Sequence, residues 1–90
     1  MSRALYLSPY LAEAHLLVGR IHLRNGRAYE AVDALKISLW SAETVDAHVA
    51  LGEAYLQTKD DQGAKAEAER ALVLAPESAE AKRLLGLTSK

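Results

Sequence analysis

Residues 48–76 read HVALGEAYLQTKDDQGAKAEAERALVLAP, and this stretch decides the fold because the rest of the chain repeats its pattern. Shifting the sequence by 33 or 34 residues places small residues on one another: Gly19, Gly52 and Gly86; Ala31 and Ala64; Ala4, Ser38 and Ala71. Self-similarity at this period is typical of stacked supersecondary units that bury a core only against their neighbours. The sequence therefore predicts a repeat architecture.

The repeated pattern resembles the tetratricopeptide repeat (TPR) family, whose helix-turn-helix unit carries W-x-x-L-G-x-x-Y, then A-x-x-x-F, then a closing Pro. The copy that starts at His48 is the fullest, since Leu51, Gly52 and Tyr55 have this spacing. The other copies are partial: His15-x-x-Val18-Gly19-x-x-His22 with Ala31-x-x-x-Leu35, and Lys82-x-x-Leu85-Gly86-x-x-Ser89. His or Lys stands at the usual Trp position in all three, and Glu43 replaces the Pro of the first repeat.

This resemblance implies an all-α fold, a TPR-like solenoid of antiparallel helix pairs that wind into a right-handed superhelix. We expect one domain over residues 1–90, divided into a helical stub of a preceding repeat (1–9), repeat 1 (10–44), repeat 2 (45–78) and a capping helix or partial third repeat (79–90). The stub is expected because Arg3–Leu7 matches Arg70–Leu74 in the repeat register. On this interpretation the chain is a fragment of a longer protein, or a domain cut with a short stub of the preceding repeat.

Apolar residues at helical spacing and the residues that end helices predict where each helix lies. The expected helices are Tyr10–Arg24, Ala28–Ser41, Val45–Thr58, Asp61–Ala75 and Ala79 to about Thr88. Gly26 ends the first, because glycine readily adopts the left-handed conformation of a C-terminal cap, and Pro76 ends the fourth. Thr44 or Ser41 is expected to cap the third helix, and Ser78 the fifth.

The composition excludes several classes of function. With 11 basic and 12 acidic side chains the net charge is −1, whereas nucleic-acid binders normally carry a basic excess, so we expect no nucleic-acid partner. The chain has no cysteine, which excludes disulfides and thiolate sites. No apolar run is long enough to insert into a membrane. The compartment stays open, with the cytoplasm favoured over the periplasm.

The three histidines are the side chains from which an enzyme hypothesis would start, because histidine titrates near neutral pH. His15 and His22 lie about two helical turns apart, roughly 10 Å, too far to share a metal ion. His15 and His48 stand at the position where the TPR family usually has a large aromatic residue, which favours a packing role for both. No nucleophile elbow or phosphate-binding loop is present. We therefore expect no catalytic residue, metal or cofactor, and no enzyme.

The resemblance implies a concave groove, lined by the first helix of each unit, that binds a peptide or a helix of a partner protein. By position, its lining is expected to be Glu13, Leu16, Arg20, Leu23, Arg24, Asp46, Val49, Glu53, Leu56 and Gln57, with Glu80, Arg83 and Leu87 from the third unit. An alternative is that the leucines and the valine are additional core. Trp40 is either an exposed anchor for a partner or a residue that packs over the following turn.

Two other functions stay open. Leu5 and Leu7 in the stub, and Leu84, Leu85 and Leu87 in the last helix, lack a helical partner in the expected arrangement, so the ends of the solenoid can associate into a homo-oligomer. The chain is alternatively a regulatory appendage of a larger protein. The interaction module is the function that the sequence favours.

Overall fold

A computed structural model describes residues 9–88, and this part of the chain is entirely helical apart from its short connecting turns. Its five helices are α1 (Pro9–Arg24), α2 (Ala28–Ser41), α3 (Val45–Gln57), α4 (Asp61–Leu74) and α5 (Ala79–Thr88). The all-α class is confirmed for these residues. The predicted stub, including Arg3–Leu7, lies outside the described residues, except that Pro9 begins α1. None of the five helices is long and apolar enough to cross a membrane.

The helix boundaries follow from local chemistry and agree with the predicted ones to within one residue. The described part of α1 begins at Pro9, one residue before the predicted start at Tyr10, and a proline is compatible with the first turn of a helix. Gly26 has φ +77°, as expected for the turn after α1. Lys59 has φ 67° in the corresponding turn after α3. The sequence did not indicate this left-handed conformation, because the position holds a lysine and not a glycine.

Three helices begin at side chains that accept hydrogen bonds from their first turns. Thr44 Oγ1 accepts from the Ala47 N–H at 3.1 Å, which makes Thr44 rather than Ser41 the cap of α3. Asp60 Oδ1 accepts from the Gly63 N–H at 2.9 Å, and Ser78 Oγ accepts from the Ala81 N–H at 3.2 Å. Each bond satisfies an N–H that has no partner within its own helix.

The helices pack mainly against their neighbours along the chain. Each helix contacts the next one along the chain, and the odd-numbered helices also contact one another, α1 with α3 and α3 with α5. Within residues 9–88, α2 and α4 make no contact of this kind. The odd-numbered helices therefore form a continuous row, and the even-numbered helices flank it without touching.

The core is built mainly from small side chains that let helix backbones approach closely. Ala31 and Leu35 of α2 are fully buried against Ala50, Leu51 and Ala54 of α3. A second cluster joins Val49, Ala71 and Ala81 from three successive helices. Because alanine fills little space, these contacts depend on the short distances between helices.

The equivalent glycines of the repeat have different surroundings. A Cβ atom built on Gly19 would lie 2.6 Å from both Cγ and Cδ2 of Leu35, and one built on Gly52 would overlap Leu84. A Cβ on Gly86 would meet no described residue within 4 Å. The packing therefore excludes a Cβ most strongly at Gly19, where it meets the branch point of Leu35, whereas at Gly52 it overlaps only the end of the Leu84 side chain.

Candidate functional site

A cavity of about 390 Å³ opens between α1, α3 and α5, and we call it the three-helix cavity. Its lining consists of Arg20, Leu23, Arg24, Val49, Ala50, Glu53 and Glu80. The contacts of α1 with α3 and of α3 with α5 bring the three helices together here. The volume lies within the usual range of ligand-binding clefts.

Helical periodicity explains which side chains reach the three-helix cavity. Residues 20, 23 and 24 lie three and four positions apart on α1, and Val49 and Glu53 have the same relation on α3. Val49 is buried in the core, and Leu23 packs against the first core cluster. The apolar side chains therefore form a small floor that the fold itself holds in place, and the charged side chains around it supply most of the exposed lining.

Charge is segregated between the walls of the three-helix cavity. Arg20 and Arg24 make the α1 wall positive, whereas Glu53 and Glu80 make the walls of α3 and α5 negative. The ion pairs found among residues 9–88 all lie elsewhere, so these four side chains have no ion-pair partner in the described part of the chain. Their charges are therefore available to a bound molecule.

The surroundings of Glu53 also perturb its titration. Desolvation raises the pKa of its carboxyl above the ordinary value, and the nearby Glu80 raises it further. Arg20 and Arg83 oppose this shift through their positive charge. Desolvation is the largest of these effects, because an ionised carboxyl that loses water without a direct partner is disfavoured.

A second, smaller cavity of about 240 Å³ lies against α1. It is lined by Glu13, Leu16, Leu17 and Arg20, and the last of these also lines the three-helix cavity. Leu17 is 61% exposed and was not among the predicted groove residues, although it lies four positions after Glu13 on the same helix. The two cavities are thus neighbouring parts of one surface.

Most of the predicted groove residues come together in these cavities, and some do not. The residues that line a cavity are Glu13, Leu16, Arg20, Leu23, Arg24, Val49, Glu53 and Glu80. Asp46, Leu56, Gln57, Arg83 and Leu87 line neither one. The Gln57 side chain instead donates a hydrogen bond to the Leu23 carbonyl oxygen at 3.4 Å, which links α3 to α1.

The alternative assignment of the apolar groove residues to the core holds in part. Val49 belongs to a buried cluster, and Leu16 and Leu23 pack against another. These three side chains also face a cavity, so they serve the core and the surface together. Ala50 is buried beside them and also lines the three-helix cavity, although it was not among the groove residues predicted from the sequence.

A second group of charged residues surrounds His48, and we call it the His48 cluster. His48 is 4% exposed, with Nδ1 2.6 Å from Glu67 Oε1 and Nε2 2.9 Å from Glu43 Oε2. Arg70 donates to the other oxygen of Glu67 at 2.7 Å. The expected packing role of His48 is therefore incomplete, because both ring nitrogens also tie α3 to α4 and to the preceding loop.

Other candidates contribute little to a site. Trp40 is 76% exposed, so the expectation that it packs over the following turn is wrong, and its role as an anchor stays a prediction. Nδ1 of His15 lies 3.0 Å from the Leu11 carbonyl oxygen within its own helix. Within residues 9–88 no group of three or more metal-ligating side chains is placed to hold an ion.

The comparisons with known proteins identify no relative. No protein-family model matches the chain, and neither the curated proteins nor the solved structures include a significant match. The functional interpretation therefore depends on the geometry described above.

Proposed function

We propose that this chain is a non-enzymatic protein-interaction module with a TPR-like solenoid architecture. Its groove, formed by α1, α3 and α5, holds a peptide or a helix of a partner protein. The observation that carries the proposal is the row of contacts among the odd-numbered helices, while α2 and α4 do not touch within residues 9–88. In a solenoid of helix pairs the first helix of each pair lines the inner face, and this face is the usual binding surface.

The repeat boundaries proposed from the sequence fit this architecture. Residues 10–44 and 45–78 each contain one odd-numbered helix and the even-numbered helix that follows it. The helices of each pair are joined by three residues, a length typical of antiparallel neighbours. Gly19 and Gly52 occupy equivalent positions, and each is a place where another helix approaches closely.

The chemistry of the three-helix cavity supports binding rather than catalysis. An apolar floor surrounded by charged residues is the usual composition of a protein interface. Among the described residues, those that line the cavity include no Ser, Thr, Lys or His that would make a nucleophile with an adjacent base. Its carboxyls belong to Glu53 and Glu80, which face the two arginines on the opposite wall.

The test is a selection from a library of twelve-residue peptides displayed on phage, carried out against the whole chain. Selected peptides are then titrated into ¹⁵N-labelled protein. We expect amide shifts to concentrate at Arg20, Leu23 and Glu53, and a Trp40→Ala variant to bind the same peptides unchanged. Shifts that cluster around Trp40, with loss of binding in this variant, would place the binding surface on the outer face and contradict the proposal.

Self-assembly is a second candidate, favoured by an exposed apolar surface on α1. Leu11, Leu17, Val18 and Ile21 are all exposed on this helix. Light scattering over a concentration series tests it. A species that grows with concentration, and becomes monomeric when Val18 and Ile21 are both changed to Glu, would support assembly through α1. A constant monomer mass would exclude it.

A further inference from the structure

We propose that the three-helix cavity selects a peptide segment that carries one acidic and one basic side chain in a fixed order. The acidic group lies against Arg20 and Arg24, and the basic group lies against Glu53 and Glu80. This inference deepens the proposed function and rests on it.

The first argument is the segregation of charge. Both cations of the cavity come from α1, and both anions come from α3 and α5. A segment with only acidic side chains is attracted to one wall and repelled by the other, and the same holds for a segment with only basic ones. Rejection by like charge is an effective source of specificity. A segment with both charges complements both walls.

The second argument is that these charges lack direct partners in residues 9–88 although they lie close to one another. Arg20 is near enough to Glu53 to influence its titration, yet the two side chains form no ion pair. Desolvation raises the pKa of the Glu53 carboxyl, and the positive charges of Arg20 and Arg83 offset this only in part. A cationic side chain of the partner would supply the missing charge-assisted hydrogen bond, which is stronger than a bond between neutral groups.

The third argument concerns size and the apolar floor. A volume of about 390 Å³ admits more than one side chain, and its floor of Leu23, Val49 and Ala50 is apolar. Lysine, arginine and glutamate have apolar stems that can lie on such a floor while their charged ends reach the walls. The neighbouring cavity, with Leu16 and Leu17, then takes an apolar side chain of the same segment.

The experiment uses the whole chain and the phage library of twelve-residue peptides, and it reverses charges both in the protein and in the selected peptides. The protein variants are Arg20→Glu and Glu53→Arg, both at exposed positions. Their matched controls are Lys36→Glu on α2 and Glu69→Arg on α4, exposed residues with the same charge changes away from both cavities. Circular dichroism confirms that each variant is folded, and fluorescence anisotropy measures the affinity of each synthetic peptide.

We expect peptides selected on the wild type to share an acidic and a basic residue at a constant spacing. Arg20→Glu should weaken their binding at least about tenfold, and changing the peptide's acidic residue to Lys should restore binding to this variant. Glu53→Arg should respond in the same way to reversal of the peptide's basic residue. The two control variants should bind like the wild type, and affinity should fall at high salt.

The outcomes separate this inference from the proposed function. Peptides that shift cavity amides but bind all charge variants equally would overturn the charge-pair inference and leave the groove intact. The charge-pair inference would also be overturned if Arg20→Glu or Glu53→Arg weakened binding and no reversal of a peptide charge restored it. Failure to select any peptide that shifts the cavity amides would overturn both.

Discussion

The close contact between α1 and α2 gives the sharpest test of the packing, because equivalent glycines supply their own control. We predict that Gly19→Ala destabilises the chain and that Gly86→Ala stabilises it. The added methyl group at Gly19 would lie 2.6 Å from Cγ and Cδ2 of Leu35, and this leucine is fully buried. The same methyl group at Gly86 would meet no atom of residues 9–88 within 4 Å.

The change in the free energy of unfolding is the sum of two opposing effects. Alanine is favoured over glycine inside a helix by about 1 kcal/mol, and both variants gain this term. At Gly19 the methyl group meets Cγ of Leu35, so rotating only the end of that side chain does not relieve the overlap. Overpacking of this kind costs roughly 1–3 kcal/mol. We expect Gly19→Ala to lose about 1 kcal/mol net and Gly86→Ala to gain up to about 1 kcal/mol.

Urea unfolding followed by circular dichroism at the helix band measures both variants. Trp40 is a poor reporter because it is already exposed in the folded chain. The difference between the two variants isolates the packing cost, since the helix-propensity gain cancels. Equal stability of Gly19→Ala and Gly86→Ala would refute the close approach of α1 to α2. Gly52→Ala should be less destabilising than Gly19→Ala, because its methyl group would overlap only the terminal Cδ2 of Leu84, whose Cγ would lie 3.4 Å away.

Three further predictions concern polar side chains. His48→Ala should cost roughly 2 kcal/mol in urea unfolding because the buried Glu67 loses its imidazole partner and keeps only Arg70, whereas His15→Ala should cost less than about 1 kcal/mol; equal losses would contradict the His48 cluster. Thr44→Ala should cost about 1 kcal/mol through loss of the α3 cap, and Thr44→Ser should restore most of it. Glu53→Gln should raise the free energy of unfolding at pH 7 by less than about 1 kcal/mol. At a pH well below the ordinary carboxyl pKa the variant should be no more stable than the wild type, because the wild-type side chain is then also neutral.

The sign of the Glu53 effect follows from proton linkage. Because the pKa of this carboxyl is raised in the folded chain, the folded state holds the proton more tightly than the unfolded state. The stabilising contribution of the neutral form is present at low pH and is lost as pH rises from the ordinary carboxyl value through the raised one. The amide that replaces the carboxyl in Glu53→Gln cannot ionise, so the variant avoids this loss. Thermal unfolding at several pH values checks the trend.

The sequence predicts the helices well because their ends depend on local chemistry. Gly26, Thr44 and Ser78 act through bonds or backbone angles within a few residues, so their effects are visible in the chain itself. The repeated glycines also indicate close packing, but only the structure distinguishes Gly19 from Gly86. That difference depends on whether another helix lies alongside, which spacing alone does not reveal.

The chemistry of the His48 cluster is not predictable in the same way. Glu43 and Glu67 are 5 and 19 positions from His48, and only the fold around α3 makes them its partners. The position in the repeat suggested an aromatic packing role and missed these bonds. Likewise, Lys59 adopts a left-handed conformation that its residue type does not indicate.

The electrostatics of the three-helix cavity depend even more on the fold. A net charge of −1 suggests a nearly neutral molecule, yet the row of α1, α3 and α5 separates two arginines from two glutamates across one cavity. Desolvation of the ionised Glu53, which Arg20 and Arg83 offset only in part, opposes folding, and a neutral side chain there would avoid the cost. Destabilised, perturbed groups are concentrated at functional sites. We therefore expect Glu53→Gln to be more stable than the wild type and, at the same time, to bind the partner more weakly.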